Sequence, residues 1–380
     1  MRALFSFTGG NGHVLPLLPI ARALAVRGHE VLFTCQPAML DTVRAAEFDA
    51  VESGGTTLTA ATYRGPLVAV DRDAEVNGIR DAFAGRVARE RAPRIVKVGA
   101  EFGADVVVHD EVDFGAGVAA QRLGVPHASV TVLAAGGMIT PGLVDEPLHC
   151  LRAELGVGPG LDEFLTIVPV MPSFRAAPLP ATAPSIRPDV LEGRESPDEP
   201  AVDAWLAARP GRPLVYFTLG TVFHQESGDL FTRVLAGLER VKANVVVTVG
   251  REIDPAELGR RADNVLVERF VPQRALLPRA SVVVSHAGSG TVVSALACGV
   301  PLVLLPMGAD QSWNADRCEV LGVGRVLDPL TVSPADVAVA VEEVLANPAY
   351  RSAARVLQEE AELLPGAEVV VDVLVERVRG

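Results

Sequence analysis

The sequence predicts an α/β protein built from two doubly wound parallel-sheet domains in tandem. Short apolar runs bounded by turn residues alternate with longer segments of helical period, which is the pattern of βαβ units. The alternation stops once, in a Pro-rich stretch over 171–213, and then begins again. At 380 residues the chain is also longer than a single hydrophobic core readily grows, so two cores are expected.

In the first half, strands are predicted over 3–7, 31–34, 106–108 and 128–132. A helix over 16–27 has Pro near its first turn and Gly28 at its end, and a second over 114–123 is stopped by Gly124. The second half gives strands over 214–218, 244–249, 265–268, 281–284 and 301–305, with helices over 230–241 and 291–298. A closing helix covers 369–375. Between the halves, Pro172, Pro178, Pro180, Pro184, Pro188, Pro197 and Pro200 mark a surface connection. Each half opens with a strand running into a Gly turn, Gly9-Gly10 in one and Gly220-Thr221 in the other. Two such sheets are expected to turn their strand carboxyl ends toward a common cleft, where ligands of doubly wound folds bind.

Composition narrows the function. Hydrophobic residues make up 49% but aromatics only 5%, so Ala, Val and Leu fill helix-covered sheets. A net charge of −13 with no Lys/Arg cluster speaks against a nucleic-acid partner. Cys35, Cys150, Cys298 and Cys318 form no CxxC pair, which fits reduced thiols and not a zinc site. The N-terminus leaves no room for a secretory apolar stretch, and no apolar run reaches the roughly 20 residues of a membrane span. A cytoplasmic protein without a membrane partner is expected.

Three motifs carry chemistry. The run from Val282 to Thr291 is a buried strand, then a Gly-rich turn, then a helix start. Unpaired N–H groups and the helix dipole there favour an anion, and Gly288 and Gly290 let it approach the backbone. A second strand, 301–305, leads to Asp310 and Gln311, which offer the acceptors and donors to hold several sugar hydroxyls. Near the start, His13 follows Gly9-Gly10-Asn11-Gly12, and an ordinary imidazole pKa of about 6.5 suits it to take a proton near neutrality. A base of this kind needs a carboxylate to orient it, and Asp110, Glu111 and Asp113 all follow the strand over 106–108. His109 and His127 read as structural, and His224 is assigned no role.

The stretch from His286 to Gln311, with Phe270-Val271-Pro272-Gln273, resembles the nucleotide-sugar signature of glycosyltransferase family 1. Members of that family have the GT-B fold, two Rossmann-like domains facing across a cleft. The resemblance implies residues 1–195 as an acceptor-binding domain, 196–212 as a linker, 213–362 as a nucleotide-sugar-binding domain and 363–380 as a helix crossing back to the first domain. It implies His13 as the general base and, of the three carboxylates, Asp110 as its orienting partner. Donor-binding positions would be Gly12 and, around the pyrophosphate, Thr221, His286, Gly288, Ser289, Gly290 and Thr291. Phe270 would stack on the base, Val271 and Gln273 would meet its edge, and Asp310 and Gln311 would grip the sugar.

The implied activity is an inverting hexosyl transfer that needs neither metal nor cofactor, from a nucleoside diphosphate sugar to a hydroxyl of a small hydrophobic natural product such as a polyketide. One departure bears on the donor. Members using UDP-sugars commonly carry a Glu eight residues after the motif His, where this chain has Ser294. A carboxylate there suits a ribose 2′,3′-diol, so its loss points to a dTDP-linked deoxysugar. A UDP-hexose enzyme and a non-catalytic nucleotide-sugar binder are the alternatives, and a homodimer is left open.

Other classes fit poorly. A nicotinamide enzyme would need a third Gly after Gly10-Asn11-Gly12 and an acid where the second strand ends in Thr34-Cys35. Neither GxSxG nor GxxxxGK[ST] is present. Asp71-Arg72-Asp73 has a metal-binding DxD spacing but lies in a polar stretch away from any strand end, and reads as a solvated charge run. Segments 54–92 and 133–165 match no motif and are expected to be loops that set acceptor specificity.

Overall fold

A computed structural model describes residues 1–55, 66–158, 163–180, 182–189, 199–220, 227–250 and 253–379. The chain divides into two compact units. The first is Met1–Thr59 with Arg72–Arg187 and Leu364–Gly380, and the second is Ala60–Asp71 with Pro188–Leu363.

Unit 1 holds one parallel sheet of β1 (Arg2–Ser6), β2 (Glu30–Cys35), β3 (Asp49–Glu52), β4 (Val106–Asp110), β5 (His127–Val130) and β6 (Leu165–Ile167), in spatial order β3-β2-β1-β4-β5-β6. Alternate residues of β1 feed opposite layers, as the two-residue strand period requires. Phe5 joins Phe33, Val108 and the helix residues Leu17 and Ile20 on one face. Leu4 joins Val107, Ile95 and Ala116 on the other. The C-terminal helix Glu368–Arg379 completes the first of these layers, with Val370, Val371 and Leu374 fully buried among its side chains.

Unit 2 repeats the design with β7 (Leu214–Thr218), β8 (Asn244–Thr248), β9 (Val265–Glu268), β10 (Val282–Ser285), β11 (Leu302–Leu304) and β12 (Gly324–Val326). All pair in parallel in the order β12-β11-β10-β7-β8-β9. The sequences LVYFT of β7 and NVVVT of β8 are buried throughout, the near-continuous apolar run expected of strands covered on both faces.

The structure departs from the sequence-based elements in five places. β3, β6 and β12 escape prediction because they are edge or three-residue strands, and β3 in particular is mostly exposed, so none carries a long apolar run. Residues 72–92, expected as loop, lie in a helical run from Arg72 to Phe102 that includes a π-helical stretch, Ile79–Val87. The helix expected over 16–27 starts earlier, with Asn11–Val14 leading through a 3₁₀ turn into Leu18–Val26, because Pro16 and Pro19 are tolerated in first turns. The expected linker over 196–212 instead contains the helix Glu199–Ala207 of unit 2, with Val202 and Leu206 buried. Residues 60–71, read with the first half, group with unit 2, where Leu67 packs against the core.

Candidate active site

In each unit the strand order reverses at its centre, between β1 and β4 in the first and between β7 and β10 in the second. Ligands of doubly wound sheets bind beyond the strand carboxyl ends at that switch point, since the flanking loops diverge there and leave a crevice. The two groups of candidate residues lie at these two places.

At the β1–β4 switch, β1 ends at Ser6 and the chain turns through Gly9, at φ +135°, into the helix Asn11–Val14. The turn is tight because the His13 ring lies over Gly9, where an added Cβ would stand 2.4 Å from His13 Cδ2. Gly12 faces open space. β4 delivers Asp110, fully buried, and backbone amides hold its carboxylate. Thr8 N–H donates to Oδ2 at 2.8 Å, and Val112 and Asp113 N–H donate to Oδ1 at 2.8 and 2.9 Å. His13 Nδ1 lies 3.4 Å from Asp110 Oδ2, with the His13 side chain 19% exposed. An acceptor fixed on Nδ1 favours the tautomer whose Nε2 carries the lone pair, the form a general base needs.

The neighbouring carboxylates are engaged elsewhere. Asp113 pairs with the buried Arg91 at 2.9 Å. Glu111 accepts from the amides of Val132 and Leu133 at 2.6 and 2.5 Å and faces Arg175 at 3.7 Å. Burial pushes the Glu111 carboxyl up to about 7, against the opposing pull of Arg175 and the two amides.

His109 and His127 form a pair under the helix Phe114–Leu123, and with Glu163 they have the spacing of a metal-ligand group. The ring geometry favours a hydrogen bond. Nε2 of His109 and Nδ1 of His127 are 3.1 Å apart, while the ring centroids are 5.3 Å apart at an interplanar angle of 28°. Both nitrogens therefore sit between the rings and point at each other, whereas a shared metal needs lone pairs that converge on a third point. His109 Nδ1 lies 2.8 Å from the Asp110 carbonyl, so it donates there and leaves Nε2 to accept from His127.

At the β7–β10 switch, β10 ends at Ser285 and the chain enters the helix Ser289–Ala297 through Ala287 at φ +69°. A left-handed backbone on a residue with a Cβ costs energy, and such strain gathers at functional turns. Ala309, just before Asp310, is a second case at φ +49°. The His286 ring is held between two glycines. Added Cβ atoms would stand 2.6 Å from it at Gly220 and 2.5 Å at Gly288. The helix begins at Gly288 with no side-chain cap and no acidic residue in its first turn, and Gly290 is exposed. Its first amides and the positive dipole end thus form a ready anion site.

Around this helix tip the remaining motif residues interlock. Ser289 Oγ donates to Asp310, whose Oδ2 also accepts from Asn314 Nδ2 at 2.8 Å. Asn314 further donates to the Ala287 carbonyl at 3.0 Å, so it ties the strained turn to the Asp310 loop. Gln311 is buried, and its Oε1 accepts from Met307 and Gly308 amides at 2.7 and 3.2 Å. That oxygen shapes the loop, so any grip of Gln311 on a sugar falls to its amide nitrogen. Gln273 Nε2 donates to Thr291 Oγ1 at 3.2 Å. Val271 is buried, which leaves its backbone for a ligand, while Phe270 keeps 42% of its surface exposed. Ser294 is half-buried one turn further along the helix. Thr221 and His224 lie outside the described residues.

Ser6, Thr8, Arg91 and Asn314 escaped the sequence reading, and Gly220 enters it only as part of a turn. Asn314 had a signal, since it stands one helical turn after Asp310. Arg91 had none, because Arg in the run ARERAPR looks like a solvated face. Among the described residues no helix is long and apolar enough to cross a membrane. Burial raises the Cys35 and Cys298 thiols to about 11 and also raises Cys318, which disfavours the thiolate at these three positions.

Comparison with known proteins gives the class. Residues 232–377 match the family described as erythromycin biosynthesis protein CIII-like, C-terminal domain. The 4'-demethylrebeccamycin synthase of Lentzea aerocolonigenes is 29% identical over 94% of this chain and 95% of its own length. The glycosyltransferase SnogD from Streptomyces nogalater shares the fold at a TM-score of 0.78, with 26% identity over 99% of both chains. The glycosyltransferase VinC in complex with dTDP superposes at a TM-score of 0.78, with 25% identity over the whole of both chains. The chain is a glycosyltransferase of the GT-B fold. Matched relatives include the oleandomycin glycosyltransferase of Streptomyces antibioticus, 29% identical over 86% of this chain and 78% of its own length, from the antibiotic branch that the motifs resemble.

Proposed function

We propose that this glycosyltransferase moves a deoxyhexose from a dTDP-sugar onto a hydroxyl of a small hydrophobic natural product, with inversion and without a metal. The observation that carries the chemistry is the Asp110 carboxylate, buried, fixed by three amides and 3.4 Å from His13 Nδ1. His13 Nε2 takes the acceptor proton as the oxygen attacks the anomeric carbon, and Asp110 stabilises the imidazolium as it forms. Attack opposite the departing diphosphate inverts the configuration. The charge growing on that diphosphate is met by the amides at the start of Ser289–Ala297 and by His286, a fixed electrostatic site of the kind that replaces a metal.

The thymidine preference rests on Ser294, and VinC, a relative in structure, was crystallised with dTDP. A Glu at that position would leave a buried acceptor short of a partner opposite a deoxyribose. The acceptor class rests on the relatives. A cavity of about 630 Å³ in unit 1 is lined by Arg80, Asp81, Arg86, Arg89, Glu146 and Cys150 among others. It holds neither His13 nor Asp110, and its charged lining does not match an apolar acceptor.

Calorimetry with dTDP and UDP tests the donor, and tighter binding of UDP would overturn the thymidine preference. His13→Ala tests the base: turnover should fall by about 10²–10⁴-fold, the usual worth of general base catalysis, while dTDP affinity stays near that of the unaltered protein. Retained turnover would remove His13 from the role.

A further inference from the structure

Beneath the His13–Asp110 pair lies an ion pair that the mechanism does not use. Arg91 comes from the helix Ala88–Phe102 and is fully buried, and Asp113, 1% exposed, precedes the helix Phe114–Leu123. Arg91 Nη2 donates to Asp113 Oδ2 at 2.9 Å and to Ser6 Oγ at 3.1 Å, and Nη1 donates to the Gly54 carbonyl at 3.0 Å. Ser6 Oγ donates to Asp113 Oδ2 at 2.6 Å. The chain after β3 is shaped to lie against the stem of this arginine, since at Gly55, with φ +76°, a Cβ would stand 2.6 Å from Arg91 Cδ.

Stability alone is a weak reason for such a pair. Two buried charges lose hydration that their attraction only partly restores, and well-packed apolar side chains of similar volume are often as stable or more so. What the pair does do is pin both segments that grip Asp110. Thr8 N–H holds Oδ2 from two residues beyond Ser6, and Asp113 holds Oδ1 through its own N–H. Arg91 fastens Ser6 and Asp113 side by side. It also satisfies the Asp113 charge, so that Asp110 is the carboxylate turned to the imidazole.

We propose that Arg91 and Asp113 are positioning residues for the general base, acting through Ser6 and the Asp110 carboxylate to hold the His13 ring in its Nδ1–H tautomer. The inference rests on the reading of His13 and Asp110 as base and orienting acid. Losing the pair lets the Asp110 turn shift, and a longer His13–Asp110 contact no longer selects one tautomer.

The test is the ¹⁵N spectrum of the imidazoles, with His13 assigned by its loss in His13→Ala. Removing Arg91 alone would strand a buried carboxylate and risk the fold, so the variant is R91M/D113L, which replaces both charges with apolar bulk. Its fold is checked by far-UV circular dichroism and thermal melting, and D110N serves as the reference for a lost orienting acid. The expected result is that the native protein shows an excess of the Nδ1–H form, which is lost in D110N and in a folded R91M/D113L. A folded R91M/D113L with the native tautomer, beside a D110N that loses it, overturns the positioning role and leaves the base reading intact. A D110N spectrum like the native one overturns both. If R91M/D113L does not fold, S6A takes its place: loss of the Nδ1–H excess supports the role, and an unchanged spectrum overturns it.

Discussion

At the scale of single residues, the site depends on what lies beside each titratable group more than on the group itself. Asp110, Glu111 and Asp113 are three carboxylates within four positions, and each has a different environment. Asp110 accepts from three amides and faces an imidazole, Asp113 is matched to a guanidinium, and Glu111 is largely buried beside a more distant Arg175. Desolvation wins at Glu111, which rises from the ordinary 4.5 to about 7. A carboxyl raised by folding binds its proton more tightly in the folded state. Its contribution to stability is therefore whole below about 4.5 and is lost as pH rises through about 7. Comparing urea unfolding of E111Q and the native protein across this window should show the native protein losing stability relative to E111Q as pH rises. A difference that stays constant with pH would remove burial of Glu111 as the cause.

At the scale of elements, the closing helix Glu368–Arg379 shows how a weak local signal becomes firm in context. Its sequence EVVVDVLVERVR has six valines and would be a poor isolated helix, because β-branched side chains lose χ1 freedom. It holds because Val370, Val371 and Leu374 enter the layer formed by Leu18, Ala21 and Phe5. Leu374 is fully buried there, so L374A should cost about 2–5 kcal/mol in urea unfolding. A loss under about 1 kcal/mol would mean the helix is peripheral to that core. The element that resisted sequence reading most is the run from Arg72 to Phe102. Arg, Glu and Asp are scattered through its first half and Pro93 falls within it, so its helical period is hidden until packing against Phe114–Leu123 shows which face is buried.

At the scale of the molecule, one sheet order is used twice, and each copy offers a different chemistry at its switch point. Unit 1 presents an imidazole 3.4 Å from a buried acid, and unit 2 a helix with no acidic residue in its first turn. Binding a nucleotide should therefore stabilise the protein chiefly through unit 2. At a dTDP concentration of about 100 times Kd, a gain of about 2.7 kcal/mol is expected from mass action, seen as a rise in Tm. H13A should keep that rise. G288A should lose most of it, because the new Cβ would stand 2.5 Å from His286 Nε2 and displace the ring. A G288A protein that responds to dTDP like the native one would place the diphosphate elsewhere.

The sequence by itself determined the class of fold, the central strands of both sheets and the motif residues at their ends. These are local signals: Val-rich runs such as VVVHD and NVVVT, and glycines at turns that a Cβ would block. It also left Asp110, Glu111 and Asp113 indistinguishable by residue type, and only the family resemblance separated them. Tertiary structure decided which carboxylate meets His13, because that depends on Thr8 and Asp110 being brought together from strands about a hundred residues apart in the chain. It decided the roles of Arg91 and Asn314 for the same reason. A charged or amide side chain takes its meaning from the partner it is buried against, and partners distant in sequence become neighbours only when the sheet closes.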